Sequence, residues 1–230
     1  MQKNDFNELE KNLGVKFENP ELLKQAFIHR SYLNEVKINL PSNERLEFLG
    51  DSVLSLIISN YLYDIRPTDS EGQLTNLRAY LVKTKSLSQA AKKLNLGSYL
   101  NLSKGEEQGG GRNNPQLLAN TFEAVLGAIF LDQGFEKAQQ FVKKTLLSLF
   151  EEELKMGPPK DAKSNLQEIT QEKFKQSPHY KILKTEGPDH AKKFQVAVFI
   201  LGKELGKGEG PSKQIAEEQA ATQALEKLTE

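Results

Sequence analysis

The sequence contains no cysteine and no tryptophan, only two methionines, and no excess of either charge: 31 Lys and Arg stand against 31 Asp and Glu in 230 residues. Without cysteine there is no disulfide framework, no thiolate zinc site and no thiol nucleophile, which suits a reducing compartment. No apolar run approaches the ~20 residues needed to span a bilayer. The opening MQKNDFNELEKNLG is too polar for a secretory signal. A cytoplasmic chain with no membrane partner is the expectation. A net charge of zero also means that binding to a polyanion must rest on basic groups gathered on one face. What remains, 37% hydrophobic and 27% charged residues, is the composition of a globular protein with one large domain or two ordinary ones.

Helical signals fill the first two thirds. Asn19 and Pro20 read as N-cap and first residue of a helix through PELLKQAFIHRSY. A long helix runs from about Glu44 to just before Pro67. Ser70 and Gln73 form a capping box that opens a helix continuing towards Gly97. KGEEQGGGRNN reads as a glycine-rich loop. Pro115 opens another helix that stops near Gly134, and FEKAQQFVKKTLLSLFEEEL reads as a last amphipathic one. Gly157, Pro158 and Pro159 then break the pattern. Beyond them a short helix, three strand-like segments and an alanine-rich helix follow. The expected fold is an all-α helical bundle over residues 1–154, a linker over 155–162, and a small α+β domain of order α-β-β-β-α over 163–230.

NERLEFLGDSVL, residues 43–54, is the odd stretch. Glu44, Glu47 and Asp51 are spaced i, i+3 and i+7 and stack on one face of an otherwise apolar helix. Such charges repel one another, and burial of an unpartnered carboxylate is expensive. A solvated face paired with Arg45 or a nearby lysine would explain them. LANTFEAVLGAIFLD offers another explanation. It carries Glu123 in an apolar run, Asn120 three residues earlier on the same face, and Gly127, where a second backbone could approach. Two apolar helices with oxygen donors on facing stripes suit a hard cation such as Mg²⁺, and a pair of such ions can promote phosphodiester hydrolysis.

NERLEFLGDSVL resembles the signature of the ribonuclease III family, and ANTFEAVLGAIFLD and EGQLTNLRAYLV resemble two further family segments. NLQEITQEKF, GPDHAKKF and GEGPSKQIAEEQAA resemble a double-stranded RNA-binding domain. The likeness spans nearly the whole chain in order. It implies a homodimeric, Mg²⁺-dependent endoribonuclease (Mn²⁺ able to substitute) that cleaves double-stranded RNA to 5′-phosphate and 3′-hydroxyl ends, in the processing of ribosomal and other RNA. By motif position it makes Glu47, Asp51, Asn120 and Glu123 metal ligands. Asp51 and Glu123 are then central to catalysis, Glu44 lies at the edge of the site, Glu71 has a supporting role, and Phe48 is the dimer-interface aromatic. In the second domain it implies RNA contacts from Gln167 and Glu168 on the first helix, His190 in the GPDH loop, and Ser212 and Lys213 at the start of the last helix. Such contacts read the shape of A-form RNA rather than its sequence. His29 is expected to be structural. GKGEG lacks the strand-to-helix context and following lysine of a nucleotide loop.

The sequence departs from the family pattern at Asn120, where the family usually has Asp, and at Gln214, where it has a second basic residue. Glu217 adds an acid beside it. An amide oxygen can ligate Mg²⁺ without contributing charge, so weaker metal and RNA binding are expected. The alternative is a double-stranded RNA-binding protein that has lost cleavage through Asn120.

Overall fold

A computed structural model describes residues 6–36, 40–157, 161–188 and 192–229. The chain divides into two compact units, residues 1–158 and 159–230.

The N-terminal unit is built from helices α1 (Phe6–Leu13), α2 (Pro20–Ala26), α3 (Arg30–Val36), α4 (Glu44–Ile65), α5 (Glu71–Val82), α6 (Thr84–Lys93), α7 (Lys104–Gln108), α8 (Pro115–Thr145) and α9 (Glu151–Met156), with short 3₁₀ turns between some of them. Their starts follow local chemistry. Asn19 Oδ1 accepts from the Glu21 amide ahead of Pro20, and Ser70 and Gln73 close a reciprocal capping box. Asn114 Oδ1 accepts from the Gln116 and Leu117 amides at 2.9 and 3.4 Å, which fixes the first turn of α8. α4 packs along α8 and buries Leu54, Ile57, Ile58 and Leu62 against a core that includes Phe122, Val125, Leu126 and Ile129. Each such side chain contributes about 1.5–3 kcal/mol of burial. Phe122 stacks on Phe141 at 5.3 Å, joining the two halves of α8.

Several boundaries differ from the sequence-based expectation. The break expected near Gly134 is present, with a φ of +77° and helix resuming at once; the differences lie elsewhere. The following amphipathic segment does not run on to residue 154. It ends at Thr145 and turns through residues 147–149, so that Phe150 is buried edge-on against Tyr80 at 5.9 Å before α9 begins. The long helix expected after Ser70 is broken by extended backbone at Lys83, where Ser86 Oγ donates to the Tyr80 carbonyl at 2.7 Å. PELLKQAFIHRSY is likewise two helices, parted by a bridge between Ile28 and Asn101. The glycine-rich loop holds a short helix because Ser103 accepts from the Glu106 amide. Within that loop Arg112 is a clasp. Its Nη1 donates to the carbonyls of Gly97, Ser98 and Leu100 at 3.1, 3.2 and 2.9 Å, and its Nε pairs with Glu107 at 2.7 Å.

The C-terminal unit has the expected order: α10 (Ala162–Phe174), strands β1 (His179–Glu186), β2 (Lys193–Ile200) and β3 (Lys203–Gly210), and α11 (Lys213–Thr229). The strands form one antiparallel sheet in the order β1-β2-β3. Glycine and alanine alternate in function here. A Cβ at Gly206 would lie 2.2 Å from the Ala220 carbonyl oxygen, and one at Gly208 would lie 2.2 Å from that of Ala216. α11 therefore rests its backbone directly on β3, which explains both the GKGEG pattern and the alanines. Leu166, Val198, Ile200, Ala220, Ala221 and Ala224 form the small core.

Candidate functional site

The acidic residues meet because two helices touch. A Cβ added to Gly50 would fall 1.8 Å from the Glu123 carbonyl oxygen, and one at Gly127 would fall 2.2 Å from that of Leu46. No side chain fits at either crossing position, so α4 and α8 approach backbone to backbone. Glu47 and Asp51 flank Gly50 on one helix, and Glu123 lies one turn before Gly127 on the other. The contact thus places all three on one seam. Glu47, Glu123 and Asn120 are half-buried, while Asp51 and Glu44 are exposed.

Electrostatics show that the three carboxyls feel one another. Burial, then the charges of Asp51 and Glu47, push the Glu123 carboxyl up to about 8. The Glu47 carboxyl is also raised, first by burial and then by Glu44, against the lowering effect of a hydrogen bond from Asn120 and the charge of Arg30. Asn120 is itself held, since its Oδ1 accepts from Gln116 Nε2 at 2.7 Å. Glu44 pairs loosely with Arg30 at 3.5 Å and accepts from Ser42 Oγ at 3.0 Å. Among the described residues, no three His, Cys, Asp or Glu side chains already stand in an arrangement that could hold a metal ion.

A cavity of about 390 Å³ opens beside this seam, lined among others by His29, Arg30, Glu44, Glu47, Gln116 and Asn120. His29, expected to be structural, bonds through Nδ1 to Ser31 Oγ at 2.8 Å yet also faces this cavity. Burial holds its imidazole below the usual range. Glu71 does not line the cavity. It is exposed in the first turn of α5 and accepts from Thr75 Oγ1 at 3.0 Å. Phe48 is 78% exposed on α4, in a row continued by Leu56 and Tyr63.

Arg30, Gln116 and Gly50 carry parts of this site that the sequence reading passed over. Gly50, set between two acids on an apolar helix, was the signal for a close crossing. Gln116, four residues before Asn120, was the signal for a side-chain pair along one helix face.

In the C-terminal unit Gln167 and Glu168 are exposed on α10, and Lys213 is exposed at the first position of α11. Ser212 Oγ accepts from the Ile215 amide at 3.3 Å, which caps α11. Gln167 and Gln214 line the same cavity of about 840 Å³ between α10 and α11. Glu217 is not a bare acid on this face, because Lys163 of α10 pairs with it. His190 lies outside the described residues.

Residues 19–149 match the family model described as ribonuclease-III-like, and residues 162–228 match the double-stranded RNA binding motif. The chain is 45% identical over 231 residues to Ribonuclease 3 of Borreliella burgdorferi, covering 99% of this chain and 93% of that one. It is 47% identical over 224 residues to Ribonuclease 3 of Geobacillus kaustophilus, covering 97% and 91%. Among solved structures it is similar to the nuclease domain of the Campylobacter jejuni ribonuclease III. The identity there is 39% and the TM-score 0.59, over 64% of this chain and 97% of that one. A second structure of that domain, described by flexibility in a region involved in dimer formation, gives a TM-score of 0.60 at the same identity, over 64% of this chain and 99% of that one. With matches over both units and nearly its full length, the chain belongs to the ribonuclease III family.

Proposed function

We propose that this chain is an endoribonuclease that cuts double-stranded RNA with the help of Mg²⁺, Mn²⁺ being able to replace it. The products are 5′-phosphate and 3′-hydroxyl ends, and ribosomal and other structured RNAs are the substrates. The observation that carries the reading is the seam at Gly50 and Gly127, where two helix backbones touch and three carboxyls gather. Its donor chemistry fits a hard cation. The groups are oxygen donors, and Glu123 stays protonated near neutral pH only because burial and its acidic neighbours disfavour its charge. Glu47, Asp51 and Glu123 would hold the metal. Asn120 Oδ1, expected as a further donor, already accepts from Gln116. Bound there, the ions would supply an activated water and charge stabilisation at the phosphodiester.

The protein's own groups do the rest. Gln116 holds Asn120 through its Oδ1, and the half-buried seam limits competing water around Glu123. Arg30 and Glu44 at the cavity rim flank the path of a phosphate backbone. In the C-terminal unit, Lys213 and the amides that open the 17-residue helix α11 suit phosphate oxygens across a groove, while Gln167 reaches sugar edges from α10. The exposed row Phe48, Leu56 and Tyr63 on α4 suits a second copy of the chain, paired about a two-fold axis.

Long duplex RNA titrated with Mg²⁺ tests the reading. Cleavage to 5′-phosphate fragments is expected, with none in a chelator. Glu123→Gln should abolish it and leave duplex binding intact. Duplex binding without cleavage at any Mg²⁺ or Mn²⁺ concentration would instead make this a binding protein. Light scattering should give about twice the 25.9 kDa chain mass, and Phe48→Ala should lower it.

A further inference from the structure

His29 stands immediately before α3, and its ring is fixed through one nitrogen only. The Ser31 amide donates to Nδ1 at 3.3 Å, as an amide in a first helical turn does to an N-cap side chain. Ser31 Oγ lies 2.8 Å from the same nitrogen. That oxygen accepts from the Ser103 amide at 3.1 Å, which leaves its own proton to donate to Nδ1. A backbone N–H can only donate. Nδ1 therefore presents a lone pair, and the neutral ring carries its proton on Nε2. The main chain is held as well, since the His29 amide donates to the Asn101 carbonyl at 3.2 Å and its carbonyl accepts from the Tyr32 amide at 3.0 Å. No described residue is hydrogen-bonded to Nε2. The half-buried residue lines the cavity that it shares with Arg30, Glu44 and Glu47.

We propose that His29 is a substrate-binding residue whose Nε2–H donates to a ribose 2′-hydroxyl of the duplex beside the acidic seam. One ring nitrogen builds the start of α3, and the other remains a donor of fixed identity at the cavity. The lining favours a neutral acceptor. Glu44 and Glu47 stand there against the guanidinium of Arg30, so a phosphate set on His29 would meet more negative charge than positive. A hydroxyl carries no charge, accepts from Nε2–H and can return its own proton to a carboxylate such as that of Glu44. The 2′-hydroxyl is also the group that distinguishes RNA from DNA. The contact would give the nuclease unit an RNA preference of its own. The identity of the ligand rests on the nuclease reading above; the protonation of Nε2 does not.

Two variants divide the work of the two ring nitrogens. His29→Asn keeps an oxygen that can cap α3 but has nothing at the place of Nε2, whereas His29→Gln keeps a donor near that place and is a poor cap. Affinities for short duplexes are measured in Mg²⁺ on the full chain carrying Glu123→Gln, so that cutting does not interfere. His29→Asn should bind all-RNA duplex roughly three- to ten-fold more weakly, the loss expected for one hydrogen bond, with its melting temperature unchanged. His29→Gln should hold RNA nearly as well and melt a few degrees lower. A single 2′-deoxy nucleotide is then moved through the duplex. At one position its penalty should be present with His29 and absent in His29→Asn, which closes a thermodynamic cycle on that contact. Without RNA, ¹⁵N-histidine spectra at mildly alkaline pH should show Nε2 protonated in the ring whose signals vanish in His29→Asn. A proton on Nδ1, unchanged RNA affinity in His29→Asn, or a 2′-deoxy penalty that survives in His29→Asn at every position overturns the proposal. The last result would mean that the ring serves a phosphate or no ligand at all. A parent chain that cuts no RNA while the cycle holds would overturn the cleavage reading and uphold the contact.

Discussion

In the N-terminal unit Gly50 and Gly127 let α4 and α8 touch, and in the C-terminal unit Gly206 and Gly208 let α11 lie on β3. The device is the same: a missing Cβ admits a neighbouring carbonyl. The surroundings differ. Glu47, Asp51 and Glu123 stand directly beside the first contact, so the spacing of the helices is also the spacing of the functional groups. Alanines surround the second, and the polar residues assigned to RNA lie at the start of α11 and along α10. Packing and chemistry are coupled at one contact and separate at the other.

The largest effect should come from forcing the coupled contact apart. Gly50→Ala places a methyl 1.8 Å from a backbone oxygen that cannot move alone. Overpacking of this kind costs about 1–3 kcal/mol and shifts the helices. Denaturation should show that loss, and cleavage should fall to background. Gly206→Ala meets the Ala220 carbonyl oxygen at 2.2 Å and should destabilise its own unit comparably. Its duplex binding should weaken while cleavage at low salt persists. Equal loss of cleavage in both variants would break the comparison.

A smaller effect concerns pH. In the folded, metal-free protein Glu123 keeps its proton up to about 8, whereas the unfolded chain releases it near the ordinary glutamate value. The folded state therefore binds more protons between those limits. Its stability from this group is complete below the lower limit and is lost as pH rises through the upper one. Melting temperature in a chelator should fall over that window, and Glu123→Gln should flatten the slope. A melting temperature independent of pH in the parent would show that burial at the seam is too slight to disfavour the charge.

The smallest effects belong to the uncoupled unit. Glu217→Gln releases Lys163 from its ion pair and removes an acid near the start of α11, so duplex affinity should rise a few-fold. Lys213→Ala should lower affinity alike for unrelated duplex sequences and reduce the salt slope by about one unit or less. Strong sequence dependence in either variant would contradict shape readout.

The elements with strong local signals were readable from the residues alone. Asn19-Pro20, Ser70 with Gln73, and Pro115 each start a helix where their local chemistry places it. The α-β-β-β-α order after Pro159 was equally plain. Breaks caused by distant partners were not. Nothing local to Lys83 announces that the chain turns there, beside Tyr80, whose ring meets the distant Phe150 edge-on. The acids were legible as a spacing on α4, and Asn120 and Glu123 as a second stripe. The direction of the Asn120 amide was not, because it depends on Gln116 and, through it, on a hydroxyl 32 residues earlier on another helix.

Arg112 returns to the absence of cysteine. By grasping the carbonyls of residues 97, 98 and 100 it closes a ring of chain 12 to 15 residues around, much as a disulfide would, immediately ahead of the turn that launches α8. A staple made of hydrogen bonds has no redox chemistry, so neither a reductant nor an oxidant can open or scramble it. Its weakness is competition from its own kind: free guanidinium should loosen this loop at concentrations where urea of equal denaturing strength leaves it shut.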